Sequence, residues 1–423
     1  MSQVLPKHAR VVIVGGGIIG LSSALYLHRA GAEVTVIDKS DFLDNCSYGN
    51  AGYICPSHFI PLASPGVVKQ GIKWMFDSTS PFYVQPRLDW NLINWAWKFS
   101  KHATKANVNQ AAVPLKDIAV LSKVEYSKWE TELGMNFNFS KKGLLEIFQT
   151  DAAAEHAHHT LEKAWELGLS DTKLLTKQEL ELMEPGIAMN SIGALYFGCD
   201  THCYPNKLMG ELLNYLKQNG VTLKSFTELT GVTTNGNKIQ AVQTNKDEIN
   251  TDELVFATGS WGRQTASLVG LDISLMPGRG YSVTMPASNL PVQHPAILVE
   301  GRVALTPLGD GQIRIGGTME VTSHKTPPRF NRVEGIIKAV NRYYPNASLK
   351  MPAKENIWYG YRPCSMDGLP YIGRTNKWSN LTIATGHSML GLSLGAATGK
   401  LVSELVLHQP TSMDLAPFSP HRS

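Results

Sequence analysis

The sequence is poor in cysteine, in long apolar runs and in excess charge of either sign. Five cysteines in 423 residues are too few, and odd in number, for a disulfide scaffold; they point to a reducing compartment. No stretch approaches the ~20 uninterrupted apolar residues of a spanning helix. The segment Met1–Arg10 is polar and runs straight into a strand pattern, so no secretory leader is expected. With 39 basic and 35 acidic residues the formal charge is +4, which excludes a polybasic nucleic-acid binder and an acidic disordered tail. Glycine (37) and proline (23) stand at ordinary levels, so collagen-like and low-complexity classes fall as well. What remains is a chain of 43% hydrophobic residues, long enough for two domains.

Val11-Val12-Ile13-Val14 suits a buried parallel strand. Gly15-Gly16-Gly17-Ile18-Ile19-Gly20 follows, then a helical stripe (Leu21, Ala24, Leu25), a stop at Gly31 and a second strand, Glu33 to Asp38. Residues 41–66 read as an ordered loop region. Residues 67–135 read as helices carrying an aromatic concentration: Trp74, Phe76, Phe82, Tyr83, Trp90, Trp95, Trp97 and Phe99. A strand at 143–148, a helix at 151–167 and a second βαβ-like passage from Gly193 come next. Asn235-Gly236 marks a hairpin, and Glu253 to Ala257 a strand running into a glycine turn at Gly259. Short β segments fill 276–320, and the tail from Leu381 reads as strand, glycine-rich turn and a helix beginning near Gly391.

Gly15-x-Gly17-x-x-Gly20, placed between a strand and a helix, is a dinucleotide-binding fingerprint. Gly15 permits the tight turn, Gly17 lets backbone approach a pyrophosphate, and Gly20 lets helix and strand pack closely. The diphosphate belongs at the helix N-terminus, where unpaired amides and the dipole favour negative charge. Asp38, ending the next strand, is placed to accept from ribose hydroxyls. Small residues from Ser47 to Gly52 let backbone reach a planar ring. Arg362, amid turn and apolar residues, carries a planar fork that grips a carboxylate and keeps its proton. A helix starting near Gly391 would aim its positive end at whatever lies in the preceding turn. His156, His158 and His159 lack partner ligands, and Cys199-x-x-x-Cys203 with His202 lacks a second ligand pair, so no metal site is expected.

In order and spacing these blocks resemble the FAD-dependent D-amino acid oxidase superfamily, most of all its bacterial D-amino acid dehydrogenase branch. The likeness covers nearly the whole chain. It rests on the fingerprint, on Ser47–Gly52 with Pro56 and Ala63–Val67, on Pro277–Ser282, on Gly360–Gly373 and on Thr385–Gly391. It implies an α/β fold: a discontinuous Rossmann-like FAD-binding domain of the two-dinucleotide-binding type (1–66, 190–270 and 355–423) plus an α+β substrate-binding domain (67–189 and 271–354). FAD would be held by Gly15, Gly17, Ile18, Ile19, Gly20, Asp38 and Lys39 at its nucleotide end. Cys46, Ser47, Asn50, Ala51, Gly52, Leu229, Ala257, Gly259, Gly386, His387, Leu390, Gly391 and Leu392 would line the rest. Arg362 would clamp a substrate carboxylate and Tyr281 would face the substrate. Arg279 stands where the branch usually has lysine, Tyr361 where it has leucine, and Cys364 and Met366 replace commoner residues; Cys364 is not expected to attach flavin.

The implied activity is oxidative deamination of D-amino acids, D-proline or cis-4-hydroxy-D-proline among them, by hydride transfer from Cα to flavin N5. Electrons would pass to a quinone-type acceptor. The alternative is a glycine- or sarcosine-type amine oxidase using O₂; a flavin-bearing subunit that mainly binds a partner complex is a weaker third. The Trp74–Phe99 stretch is read as either a membrane- or quinone-facing patch or the core of the substrate domain. The expected location is cytoplasmic, with peripheral attachment to the inner membrane in the first case, and no nucleic-acid partner.

Overall fold

The structure, a computed structural model, describes residues 8–74 and 80–422; Phe76 and the side chain of Trp74 lie outside the described residues. Six strands form the smaller of two main sheets, in the order Tyr371–Arg374, Leu381–Thr385, Glu253–Phe256, Arg10–Val14, Glu33–Ile37, Thr222–Lys224. The inner strands are parallel, Val12 lying between Leu254 and Thr35, and the edge strand Tyr371–Arg374 alone runs antiparallel. Val11 to Val14 are buried on both faces, which is why the run is continuously apolar rather than alternating.

Helix Ile18–Arg29 leaves the glycine turn and packs against the last helix, Gly395–Val406. The approach is close: a Cβ on Gly399 would sit 2.5 Å from the Ser22 backbone carbon. Helix Lys105–Leu133 joins the same apolar cluster through Ala111, Leu115 and Ile118, and its Tyr126 hydroxyl donates to the Leu392 carbonyl at 2.6 Å.

The larger sheet has nine strands. Along its path lie Ile357–Ser365, Leu275–Pro286, Gln312–Val321, Val303–Gly309, Ala296–Leu298, Leu144–Phe148, Gly193–Phe197 and Thr172–Thr176, with Phe82–Val84 pairing Gln312–Val321. A two-strand ladder, Tyr53–Ile54 with Thr201–His202, ties the 41–66 loop to the turn beyond Phe197. The expected hairpin is present, Leu229–Asn235 pairing Lys238–Thr244 around Gly236.

Three expectations shift. Gly193–Phe197 and Ile357–Ser365, assigned to the nucleotide-binding segments, belong to the larger sheet, while helix Lys105–Leu133, assigned to the substrate segments, packs on the smaller one. A short apolar run does not reveal its pairing partner, since the partner comes from elsewhere in the chain. The last helix begins at Gly395, not near Gly391: Gly386 and Ser388 adopt left-handed conformations (φ 81° and 50°), and the chain turns once more before the helix forms.

Because Gly399 touches backbone, not a movable side-chain tip, Gly399→Ala is expected to destabilise the protein by about 1–3 kcal/mol. A urea titration checks this; an unchanged midpoint would mean the two helices separate freely.

Candidate active site

The turn after the first strand is built from two kinds of glycine. Gly15 has φ 111°, and a Cβ there would lie 2.4 Å from the Ala257 carbonyl oxygen; one on Gly20 would lie 1.8 Å from the Gly15 oxygen. Gly52 and Gly386 are packed likewise, against the Cys203 carbonyl and the Tyr371 ring. Gly17, Gly259 and Gly391 differ. Beyond Gly17 only Ser47 Oγ comes near, at 3.6 Å, beyond Gly391 only His387 Cβ at 3.8 Å, and beyond Gly259 nothing within 4 Å. The expected cofactor contacts thus divide into a framework and an open lining, and the lining runs from the helix N-terminus at Gly17, past the far strand's end, to the turn before the last helix. The Thr258 hydroxyl, buried with no partner, adds a free polar group beside Gly259. This cradle fits an extended dinucleotide, with Gly17 at the diphosphate.

Ser47 Oγ accepts from the Ile18 N–H at 3.0 Å, at the first turn of the helix. The Asp38 carboxylate accepts from Gly16 N–H at 2.6 Å on Oδ2 and from the Ser40 N–H and hydroxyl at 2.7 and 2.8 Å on Oδ1; Oδ2 keeps a second acceptor position for a ribose hydroxyl. Ile18 and Ile19 are buried in the core, as are Leu392 and, among the smaller sheet's other cluster, Leu229. Ala257 donates to the Val14 carbonyl within the sheet. Asn50 Oδ1 accepts from Gly52 N–H, closing the loop on itself, with Ala51 half-buried between them. Lys39 Nζ lies 3.6 Å above the Trp261 ring, and burial lowers its pKa against the pull of Glu228 and Asp38. Cys46 exchanges hydrogen bonds with the Tyr361 backbone at 3.1 Å; burial pushes its thiol up to about 11. His387 is buried and pairs with the Thr398 hydroxyl at 3.0 Å, while Leu390 is half-buried at the turn.

On the larger sheet, Leu275–Pro286 pairs with Ile357–Ser365 so that Gly278 faces Arg362 and Tyr281 faces Tyr359. The Arg362 guanidinium lies flat on Gly280, where a Cβ would come within 2.0 Å of Nη1. Nη1 donates to the Thr318 carbonyl at 2.6 Å, and among the described residues no carboxylate pairs with it. Burial lowers its pKa, yet an arginine's ordinary value is so high that it keeps its charge. The guanidinium fork thus keeps donors that no carboxylate among the described residues takes up, which is the chemistry an anion can meet.

Arg279 makes the contrast. It is fully buried, donates Nε and Nη2 to Glu320 at 3.0 and 2.9 Å, and fills its other donors with the Thr326 and Pro327 carbonyls. Tyr281, expected to face the substrate, belongs to this network instead: it is buried, its hydroxyl donates to Glu320 at 3.0 Å and accepts from the Arg329 N–H at 2.7 Å. Burial pushes that hydroxyl up to about 12. The tyrosines left with exposed surface are Tyr359 and Tyr361 of the facing strand, Tyr361 set edge-on to His324, which stacks on Trp261 at 4.4 Å. Strand alternation through Tyr359 and Tyr361 was the signal for them; His324 and Trp261 gave none.

Helix Trp90–His102 sits behind Arg362. Its Leu92, Trp95 and Phe99 pack with Met276, Met319, Cys364 and Met366, and Trp95 Nε1 donates to the Cys364 carbonyl at 3.1 Å. Its other side leaves Trp90 78%, Ile93 49% and Trp97 55% exposed, next to a fully exposed Leu88. Among the described residues one group of metal-type ligands converges, Cys55, His58 and Asp200; Ser57 donates to Asp200 through both N–H and hydroxyl, and Cys199 through its thiol, so the group is a closed hydrogen-bond network.

Residues 10–405 match the DAO family, FAD dependent oxidoreductase. The chain belongs to this family. Its cofactor is therefore FAD, and it is an oxidoreductase with the expected Rossmann-like FAD-binding fold. It is 30% identical over 412 residues to a D-amino acid dehydrogenase of Neisseria meningitidis, spanning 96% of this chain and 97% of that one. It is 28% identical over 415 residues to one of the same name from Granulibacter bethesdensis, spanning 96% and 98%. In fold it is similar to glycine oxidase from Geobacillus kaustophilus (TM-score 0.79, 23% identity, 98% and 99% of the two chains). L-proline dehydrogenase from P. horikoshii is similar too (TM-score 0.77, 22%, 99% and 98%).

Burial holds the His387 imidazole down to about 3. The unfolded chain takes that proton near pH 6.5, so on acidification the unfolded state binds more protons and stability falls between about pH 6.5 and 3. Wild-type protein is expected to lose Tm more steeply than His387→Gln from pH 7 to 5, measured with FAD bound; parallel curves would show that His387 titrates normally.

Proposed function

We propose that this enzyme oxidises D-amino acids, cyclic ones such as D-proline or cis-4-hydroxy-D-proline included, and delivers the electrons to a quinone-type acceptor. The observation that carries the reading is the unpaired Arg362 guanidinium on the glycine floor of the larger sheet. It supplies the fixed positive charge that every α-amino acid can meet with its carboxylate. The D-amino acid dehydrogenase relatives favour an amino acid substrate of that chirality.

FAD, when bound along the open glycines, supplies a two-electron acceptor for the hydride that leaves the α-carbon. The chain's own residues contribute position and environment. Arg362 fixes the carboxylate and with it the face of the α-carbon presented, and such orientation is the main lever on a reaction that needs no strong acid or base. The amine has to be neutral for its lone pair to drive hydride departure. Arg279 is neutralised by Glu320, and Arg362, which no carboxylate among the described residues pairs, disfavours an extra ammonium charge beside it. The resulting imino acid hydrolyses in water after release.

The exposed side of helix Trp90–His102 supports a membrane-borne acceptor. Trp90, Ile93 and Trp97 form an apolar stripe with Leu88, and no acidic residue occurs between Asp89 and Asp117, whereas Lys98, Lys101 and Lys105 do. Aromatic and basic residues together suit an anionic bilayer surface. No helix among the described residues is long and apolar enough to cross a membrane, so attachment would be at the surface, where a quinone is reached.

Anaerobic bleaching of the bound flavin by a panel of D- and L-amino acids tests the substrate; bleaching by L-forms alone sinks the reading, and peroxide in proportion to turnover points to O₂ as acceptor. Arg362→Ala is expected to lower kcat/KM on the order of 10²-fold, chiefly through KM, with FAD retained. Trp90→Ser/Trp97→Ser is expected to reduce co-sedimentation with phosphatidylglycerol vesicles, and equal pelleting would remove the membrane-facing role.

A further inference from the structure

We infer that Thr318 is a second substrate-binding residue, its hydroxyl donating to the same carboxylate that Arg362 grips. This rests on the proposed amino acid chemistry and adds a residue to it.

Three independent features meet at Thr318. The first is its backbone. It has φ 60°, the left-handed region where a β-branched residue is strained and where glycine would be relaxed. The strain has a visible origin in the ladder. Arg279 pairs with Glu320 and Tyr281 with Gly317, so Thr318 and Met319 together oppose Gly280 alone. That is a bulge, a device that re-aims a residue out of regular alternation.

The second feature is what the bulge aims. The Thr318 carbonyl receives the 2.6 Å hydrogen bond from Arg362 Nη1, while the opposite residue, Gly280, leaves the floor on which the guanidinium lies. Bulge and glycine together set where the positive charge stands.

The third feature is the hydroxyl. Thr318 is buried, and its Oγ1 has no hydrogen-bond partner. Buried hydroxyls are normally satisfied, and one left without a partner asks for a reason. That hydroxyl belongs to the residue whose carbonyl holds the guanidinium, so both donors are assigned to one carboxylate. A group arriving at Arg362 as an anion is therefore offered a charge-assisted N–H fork and a neutral O–H donor side by side. Glycine at this position would keep the bulge without strain; the threonine adds only a methyl and that hydroxyl.

The test uses FAD-loaded protein and acetate as a minimal carboxylate, its binding read from the flavin absorption spectrum, alongside KM and kcat for D-amino acids. Thr318→Gly relaxes the backbone and removes the hydroxyl; Thr318→Val keeps the shape and removes the hydroxyl; Thr318→Ser keeps the hydroxyl. Thr318→Gly and Thr318→Val are expected to weaken acetate about tenfold and to raise KM to a similar extent, with kcat changed much less, whereas Thr318→Ser stays near wild type. The Tm of Thr318→Gly should equal or exceed that of wild type, which separates lost binding from lost structure. Wild-type affinity in the Gly and Val variants, or a loss in Ser as deep as in Val, overturns the assignment. So does a wild-type protein that fails to bind acetate. If acetate binding depends on the hydroxyl while no D-amino acid bleaches the flavin, the Thr318 assignment stands and the proposed substrate falls.

Discussion

A half-buried cation with no carboxylate beside it among the described residues is held by shape, and the glycine floor of the larger sheet serves that end at Arg362. Two arginines stand on neighbouring strands with opposite fates. Arg279 is neutralised by Glu320 and saturated by two carbonyls, so it is part of the scaffold. Arg362 has one carbonyl and a glycine floor. Removing a carboxylate partner from a buried charge is ordinarily destabilising by several kcal/mol, which is why Glu320 is tied so closely to Arg279. Glu320 also takes the Tyr281 hydroxyl, so the network that disarms Arg279 also draws Tyr281 inward.

Much of this was legible in the sequence. The strand–glycine–helix–strand opening is local, its signals lie within thirty residues, and the structure matches it strand for strand. The carboxylate at Asp38 and the small-residue loop at Ser47–Gly52 were visible for the same reason. What was hidden depends on distant partners. Which sheet Gly193–Phe197 or Ile357–Ser365 would join is set by residues far along the chain, not by their own apolar pattern. Tyr281 looked like a site residue because its motif lies at the site; only the third dimension shows Glu320 and Arg329 beside it. Thr318 had no motif at all, since a bulge is a mismatch between two strands and neither carries it alone.

Helix Trp90–His102 explains why aromatic content was ambiguous: one face is packed in the core and the other leaves its aromatics exposed. Leu92, Trp95 and Phe99 brace the strand that carries Arg362, and Trp95 holds the Cys364 carbonyl two residues on. Trp90, Ile93 and Trp97 point the other way, with Lys101 3.6 Å from the Trp97 ring. One helix therefore links the back of the strand that carries Arg362 to an apolar outer surface.

The strand order of the smaller sheet carries a consequence for biosynthesis. Its central strand is flanked by a neighbour that comes much later in the chain: Arg10 and Asp252, which pair at its edge, are 242 residues apart. At roughly 5–20 residues per second of translation, Val11–Val14 waits on the order of ten to fifty seconds for that neighbour, and longer for the closing strand Leu381–Thr385. Throughout that interval the nascent chain presents an unpaired, continuously apolar edge, so its yield in the cell depends on what shields that edge before synthesis ends.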